Sequence, residues 1–234
     1  MYECNQFTRT ELALGKDGIE KLKNSKIVLF GLGGVGSYIA EALARVGVGN
    51  LIIVDGDTVD ITNINRQLIA NINTIGKNKA ELVKERISLI NPLANVVAIS
   101  KFVKSEDDID FIDGTVDYVI DAIDYFDAKI MIIKKAKELG LNLISSMGTA
   151  KRLHGDMFKI ADISKTKVCP LAKKMRRELK KLRINKVKVL YSDEVPTEMH
   201  EIDGYVGKSL GSVSFVPPVA GMLIAGEVVR DLLK

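Results

Sequence analysis

The sequence is poor in the residues that build metal sites and disulfides. Its 234 residues include two cysteines, Cys4 and Cys169, and two histidines, His154 and His200. Two thiols cannot supply a four-cysteine zinc site, and the chain has no C-x-x-C pair. Neither histidine has neighbours at metal-ligand spacing, so we interpret both as surface or hydrogen-bonded structural residues. We therefore expect no zinc-based catalysis and no disulfide between the two cysteines.

Long apolar runs are also missing. The N-terminus is polar over residues 1–6 and lacks the apolar segment of a secretory signal. The most apolar late stretch, residues 213–225, contains Pro217 and Pro218 and is shorter than the roughly 20 residues of a membrane-spanning helix. We interpret it as a strand followed by a buried helix. These absences predict a cytoplasmic protein without membrane insertion.

Acidic residues are nearly absent from one segment. The whole chain has a net charge of +4, from 34 Lys and Arg against 30 Asp and Glu. Residues 165–188 alone hold eleven basic residues and one acid, Glu178, so the remainder of the chain is mildly acidic. Basic charge concentrated in one segment favours a polyanionic partner.

Strand-like and helix-like patterns alternate along the first 150 residues. Short apolar runs typical of buried strands occupy residues 26–30, 51–54, 96–103, 118–120 and 143–145. Helical spacings lie between them at residues 35–46, with Gly47 as a C-terminal stop, at 80–90, closed by Pro92, and at 128–139. This alternation predicts a Rossmann-like α/β fold, doubly wound, with a mainly parallel sheet and helices on both faces.

The alternation weakens after His154. The patterns there predict a strand at 157–163, a basic helix at 171–183, strands near Val187 and Val213, and a final helix at 219–233. No repeat or linker divides the chain, so we predict a single domain. Its parts are an N-terminal arm or helix (1–25), a nucleotide-binding core (26–150) and a C-terminal strand and helix elaboration (151–234).

A glycine-rich turn lies between the first predicted strand and helix. It contains Gly31, Gly33, Gly34 and Gly36, and Asp55 follows the next strand. Glycines let the backbone approach a phosphate, free N–H groups at a helix start bind anions, and an acid at this position can hold ribose hydroxyls. A merely tight turn is the alternative. NAD and ATP sites share all of these features, so the loop predicts an adenine nucleotide without choosing between them.

Polar residues further along the chain favour ATP. They are Asp57, Asn63, Arg66, Gln67, Lys79 and Asp124. A triphosphate needs cations in the crevice, whereas NAD does not. Two alternatives remain open from position alone: Lys79 could be a solvated lysine at a helix start, and Asp124 could cap the helix that follows.

These motifs together resemble the ThiF/MoeB/HesA family, the ATP-dependent carboxylate-adenylating relatives of ubiquitin-activating enzymes. The resemblance runs to about Ser146 and returns in the last helix. It implies that Asp55 binds ribose, that Asn63, Arg66 and Lys79 bind phosphates, and that Asp124 holds magnesium with ATP. It also implies a homodimer, because Arg9 matches an N-terminal arginine that reaches into the partner subunit's ATP site. The catalytic set would then be Arg9, Arg66, Lys79 and Asp124.

Two branches of that family compete for this chain. Members that activate the Gly-Gly tail of a sulfur-carrier or ubiquitin-like protein usually carry two C-x-x-C pairs, which this chain lacks. The chain looks closer to the branch that dehydrates threonylcarbamoyladenosine at position 37 of tRNA, through residues 62–67, 119–124 and 170–179. This resemblance implies an ATP-dependent ring closure on tRNA, with a sulfur-transfer system such as a cysteine desulfurase as a further possible partner.

The basic helix carries an apolar stripe of Leu171, Met175, Leu179 and Leu182 at helical spacing. Its candidate tRNA contacts are Lys173, Lys174, Arg176, Arg177, Lys180 and Lys181. A membrane surface or simple solvation of the helix are the alternatives.

Cys169, just before Pro170, lies roughly where thioester-forming relatives place a nucleophile. Its thiol could carry a persulfide or an acyl group, or the residue could be structural.

Overall fold

Seven strands form one sheet in the computed structural model, which describes residues 3–207 and 210–234. In chain order the strands are β1 (Lys26–Phe30), β2 (Asn50–Val54), β3 (Asn95–Ile99), β4 (Tyr118–Asp121), β5 (Asn142–Ser146), β6 (Phe158–Asp162) and β7 (Lys188–Ser192). Their spatial order is β3-β2-β1-β4-β5-β7-β6. All neighbours are parallel except β6, which is antiparallel to β7. The predicted Rossmann-like, mainly parallel sheet is confirmed.

The helices of the described residues cover both faces of this sheet. They are α1 (Thr8–Asn24), α2 (Gly36–Val46), α3 (Lys79–Ile90), α4 (Phe126–Glu138), α5 (Pro170–Lys181) and α6 (Val216–Leu232). One buried core joins α1, α2, α3 and α6, and the other joins α4 and α5. Side chains of β1 alternate between them, with Leu29 in the first core and Phe30 in the second. No helix in this part of the chain is long and apolar enough to cross a membrane.

Helix α1 is two helical pieces joined at Gly15. Gly15 has φ 76° and ψ 167°, a combination that is essentially restricted to glycine. The space beside its α-carbon is open, so backbone conformation alone demands a glycine there. Ahead of the kink, the ring of Phe7 lies against Gly47, the predicted stop, which ends α2 in the left-handed conformation.

Two predicted strands differ from the structure. The strand predicted for 96–103 ends at Ile99, because Phe102 instead packs over Gly56 and Val103 enters the second core. The strand predicted near Val213 is absent from the described residues. Backbone carbonyls there bond singly, Gly211 O accepting from Lys151 N (2.9 Å), so no ladder forms. The N-terminal helix, the basic helix and the last helix are all confirmed.

Candidate nucleotide-binding site

The strand order reverses between β1 and β4, and the glycine loop lies at that point. The chain builds β2 and β3 on one side of β1 and then crosses to β4 on the other. In an open α/β sheet, ligands bind in the crevice at the carboxyl ends of such a pair of strands. Gly31 has φ 84°, and a Cβ there would lie 2.7 Å from the Ala122 carbonyl oxygen. A Cβ on Gly36 would lie only 1.7 Å from the carbonyl oxygen of Gly31, so both glycines are sterically required.

Four consecutive backbone N–H groups at the start of α2 have no partner within the described chain. They belong to Gly33, Gly34, Val35 and Gly36; the next amide, of Ser37, donates to the Gly33 carbonyl at 3.1 Å. Gly33 and Gly34 are partly exposed. Unpaired amides at a helix N-terminus, together with the helix dipole, form a binding site for an anion such as phosphate.

Asp55 at the end of β2 holds this loop. One carboxylate oxygen accepts the Leu32 N–H at 2.7 Å and the other accepts the Asp57 N–H at 2.8 Å. Burial raises the pKa of Asp55, and these two backbone hydrogen bonds oppose the shift by favouring the charged form. The carboxylate is thus oriented at the edge of the crevice, where further lone pairs can accept ribose hydroxyls.

Lys79 is buried, which excludes the solvated alternative. Its side chain is 6% exposed, and its Nζ lies 2.9 Å from Oδ2 of Asp57. The start of α3 is capped by Asn78, whose Oδ1 accepts the N–H groups of Ala80 and Glu81. Asp57, predicted as a nucleotide ligand, therefore neutralises Lys79 in the described structure and orients its ammonium group.

The N-x-x-R-Q segment begins at Asn63, the last residue of a short 3₁₀ turn, Ile61–Asn63. Oδ1 of Asn63 accepts the Asp60 N–H at 3.2 Å, so part of this side chain completes a capping box. Arg66 lies along the glycine loop, where its Cγ would be 3.3 Å from a Cβ on Gly34. Gln67 is buried, its Nε2 would lie 3.7 Å from a Cβ on Gly33, and its Oε1 has no hydrogen-bond partner among the described residues.

The two aspartates of D-x-x-D differ in environment. Asp121, at the end of β4, is fully buried and lies 2.9 Å from Nζ of the equally buried Lys129. Ser145 Oγ also donates to Asp121, at 2.5 Å. Asp124 is exposed, and no side chain caps α4, which excludes the capping alternative. Asp121 is thus neutralised inside the fold, whereas Asp124 is the exposed acid of this motif. Sequence reasoning missed Lys129, because a lysine on an amphipathic helix is ordinarily a solvated one.

Two further candidates, Arg9 and Cys169, lie outside this crevice. Arg9 is exposed two residues after Phe7, which contacts the C-terminal end of α2. The glycine loop is at the other end of that 11-residue helix, about 16 Å away. Cys169 is 2% exposed and is buried within the second core. No group of three or more His, Cys, Asp or Glu in the described residues could hold a metal.

Helix α5 presents only part of its predicted basic face. Met175 and Leu179 are buried as predicted, whereas Leu182 follows the helix and is 42% exposed. Arg176 is half-buried and donates to the carbonyl and hydroxyl of Thr166. Two lysines also have partners: Lys174 over the Phe126 ring and Lys181 with Glu178. The unpaired basic residues of the six are Lys173, Arg177 and Lys180.

Comparison with known proteins agrees with this geometry. A sequence model of the ThiF family matches residues 7–234. The tRNA threonylcarbamoyladenosine dehydratase of Bacillus subtilis is 47% identical over 242 residues, covering 98% of this chain and 95% of that protein. The crystal structures of E. coli tRNA N6-threonylcarbamoyladenosine dehydratase, TcdA, with ATP and with AMP are 29% and 30% identical, with TM-scores of 0.88 and 0.89. Each covers 97% of this chain, which covers 93% and 94% of the two structures.

The fold and the phosphate-binding loop thus define a nucleotide-binding protein of the Rossmann-like class. The match of the family across almost the whole chain makes the assignment more specific. This chain belongs to the ThiF family.

Proposed function

We propose that this protein dehydrates the threonylcarbamoyl modification on adenosine-37 of tRNA, using ATP to activate its carboxylate. The observation that carries the proposal is the row of unpaired amides at the start of α2, flanked by Asp55 and Lys79. This arrangement suits the phosphates and ribose of ATP. The near full-length similarity to a tRNA threonylcarbamoyladenosine dehydratase supports the choice of substrate.

The reaction begins with attack of the substrate carboxylate on the α-phosphorus of ATP, and pyrophosphate leaves. A nucleophile within the same modification then attacks the activated carbonyl carbon, a ring closes, and AMP leaves. The modification loses one water overall. Ring closure within one molecule gains from proximity, so no covalent enzyme intermediate is required. The burial of Cys169 supports a mechanism in which this thiol takes no part, and with it weakens the argument for a sulfur-transfer partner.

The residues of the crevice have separate roles in this proposal. The amides at Gly33 to Gly36, with Arg66 and Lys79, stabilise negative charge on the phosphates, and Asp55 orients the ribose. Asp124 is exposed and uncommitted, which fits a ligand of the magnesium ion that accompanies ATP. When bound, magnesium would supply charge neutralisation on the phosphates.

The substrate assay is direct. Purified protein is incubated with ATP, magnesium and tRNA that carries the threonylcarbamoyl group, and the digested nucleosides are analysed by mass spectrometry. We expect the modified nucleoside to become lighter by one water, with AMP formed in equal amount. If the tRNA is unchanged and a Gly-Gly-tailed protein stimulates AMP formation instead, the chain is a carrier-protein adenylyltransferase and the proposal is wrong.

We further propose a homodimer in which Arg9 completes the partner's site. Arg9 is exposed and lies near the end of α2 that is remote from the glycine loop, so it cannot serve its own crevice. Mixing Arg9→Ala with Lys79→Met subunits tests this, since a mixed dimer regains one intact site from two inactive parents. We expect up to about half of wild-type activity per mixed dimer. Two parents that stay inactive on mixing, with exchange of subunits verified, would exclude the shared site.

A further inference from the structure

Asn65, between the 3₁₀ turn and Arg66, uses both ends of its amide group. Its Oδ1 accepts from Nη1 of Arg66 at 2.8 Å, and its Nδ2 donates to the backbone carbonyl of Ser212 at 2.9 Å. Both contacts require this orientation of the amide, since a guanidinium can only donate and a carbonyl can only accept. Asn65 therefore joins a predicted phosphate-binding residue to a segment 147 residues away in the chain.

The contact on Arg66 fixes one edge of the guanidinium. Nη1 of Arg66 donates to Oδ1 of Asn65 and also to the carbonyl of Thr62, each at 2.8 Å. Nε and Nη2 have no partner within the described residues. The side that remains can thus bind phosphate oxygens in the paired geometry that guanidinium groups favour, and the oriented side chain loses less entropy on binding.

The contact on Ser212 anchors a long connection. Residues 193–215 join β7 to α6, and the described parts, 193–207 and 210–215, contain no helix or strand. Beside Ser212, the carbonyl of Gly211 accepts the N–H of Lys151 at 2.9 Å, and Lys151 O accepts the N–H of Thr197 at 3.0 Å. Residues 210–215 are thereby held between the loop after β5 on one side and Asn65 on the other.

We propose that Asn65 is a positioning residue that couples occupation of the ATP site to the conformation of residues 210–215. ATP that engages Arg66 stabilises the arrangement in which Asn65 holds Ser212, and by reciprocity a substrate that orders residues 210–215 strengthens ATP binding. The inference rests on the proposed function in one respect, that Arg66 meets the phosphates of ATP. It adds a link between that site and the connection leading to α6.

Hydrogen exchange of the full-length protein with ATP alone provides the test. Wild type at saturating ATP is expected to show slower exchange in residues 210–215 and at Lys151 than without ATP. In Asn65→Ala this slowing is lost at saturating ATP, and ATP affinity falls about 3- to 10-fold, as expected for one lost hydrogen bond. Asn65→Asp retains an acceptor for Arg66 but no donor for Ser212, so the slowing is lost there too.

Asn185→Ala is the matched control, because its exposed amide makes only a 3.5 Å contact with the carbonyl of Arg183, remote in sequence from Arg66. It should behave as wild type. The coupling is wrong if wild type shows no slowing, or if either Asn65 variant keeps it. Since no tRNA is used, these results are independent of the dehydration assay: lost turnover on tRNA with intact coupling to ATP would overturn the proposed function alone.

Discussion

The parallel strands begin at one side of the sheet, the amino edge, and end at the other, the carboxyl edge. Charged residues pair differently at these two edges. At the amino edge, Lys188 pairs with Glu227 at 2.8 Å and also with Asp231. Asp231 accepts further hydrogen bonds from the hydroxyl of Tyr118 and from Lys234, both at 2.8 Å. The charges of this cluster compensate one another, and none needs a ligand.

At the carboxyl edge the compensation is incomplete. Lys129 and Lys79 are paired with Asp121 and Asp57, but Asp124 and the outer edge of Arg66 remain uncommitted, as do the amides of the glycine loop. Paired charges position and stabilise, whereas the unpaired groups can bind. Substitutions at the amino edge should therefore change stability, and substitutions at the carboxyl edge should change binding unless they break a buried pair or a tight backbone contact.

The largest effect is expected for Gly36→Ala, which breaks the backbone contact of the carboxyl edge. The new Cβ would meet the Gly31 carbonyl at 1.7 Å, so α2 and the loop must move apart and ATP binding should be lost. Gly33→Ala is the control, because its nearest neighbour would be Gln67 Nε2 at 3.7 Å and the fold should persist. Calorimetric ATP titration and thermal melting measure both variants. Wild-type ATP affinity in Gly36→Ala would contradict the claim that the close contact between residues 31 and 36 requires glycine.

Breaking the buried pair beneath the crevice comes next. Lys129→Met leaves the Asp121 carboxylate buried without its cation, which should lower the free energy of unfolding by about 3–5 kcal/mol. Lys134→Met on the same helix removes only surface pairs, with Glu106 and Glu138, and should cost about 0–1 kcal/mol. Urea unfolding compares them. An equal decrease in the free energy of unfolding in the two variants would show that the buried pair stabilises the fold no more than a surface pair does.

The exposed basic face of α5 should give a smaller and salt-dependent effect. Replacing Lys173, Arg177 and Lys180 by glutamine removes the unpaired cations of that face. We expect tRNA affinity to fall about tenfold and the salt slope of log K to become shallower by up to about 3. Filter binding across a salt series measures this. Glutamine at the exposed positions Lys16, Lys21 and Lys84 removes the same charge elsewhere on the surface. An equal loss of tRNA affinity in that variant would show that net charge, and not the face of α5, is responsible.

The smallest effect concerns acid stability at the amino edge. Burial alone would raise the pKa of Asp231, but hydrogen bonds from Lys188, Lys234 and Tyr118 lower it to about 2 from 3.8. The ionised carboxylate therefore stabilises the fold above pH 3.8, and this contribution is lost as the pH falls from 3.8 towards 2. We expect Asp231→Asn to flatten the decline of the melting temperature over this range. An unchanged dependence of the melting temperature on pH, together with altered ATP affinity, would show that this amino-edge residue affects binding and not stability.

Local patterns were sufficient for most of the fold and for the position of the crevice. Apolar runs and glycine positions predicted β1, β2, β4 and β5 nearly to the residue, since buried parallel strands and helix ends leave strong local signals. The sequence also placed Asp55 and Lys79 at the same edge. The errors arose where tertiary contacts took over: Val103 is apolar because it enters a core, and the apolar stretch around Val213 belongs to a connection fixed by single hydrogen bonds.

Pairing was the part that the sequence could not supply. Nothing local indicates that Asp57 neutralises Lys79, that Asp121 requires Lys129, or that Arg176 turns inward to Thr166. Each pair joins residues whose proximity depends on the packing of separate elements. Which charged residues remain available to a ligand is therefore visible only in the folded chain.

The kink at Gly15 has a consequence for the geometry of the proposed homodimer. A side chain would have room at this position, so it is the backbone conformation that requires glycine, the one achiral residue. The seven residues of α1 before the kink, with Arg9 among them, take their direction relative to the rest of α1 from the backbone conformation of Gly15. If Arg9 serves a neighbouring subunit, the backbone conformation of Gly15 in one chain determines where Arg9 is placed in the active site of the other.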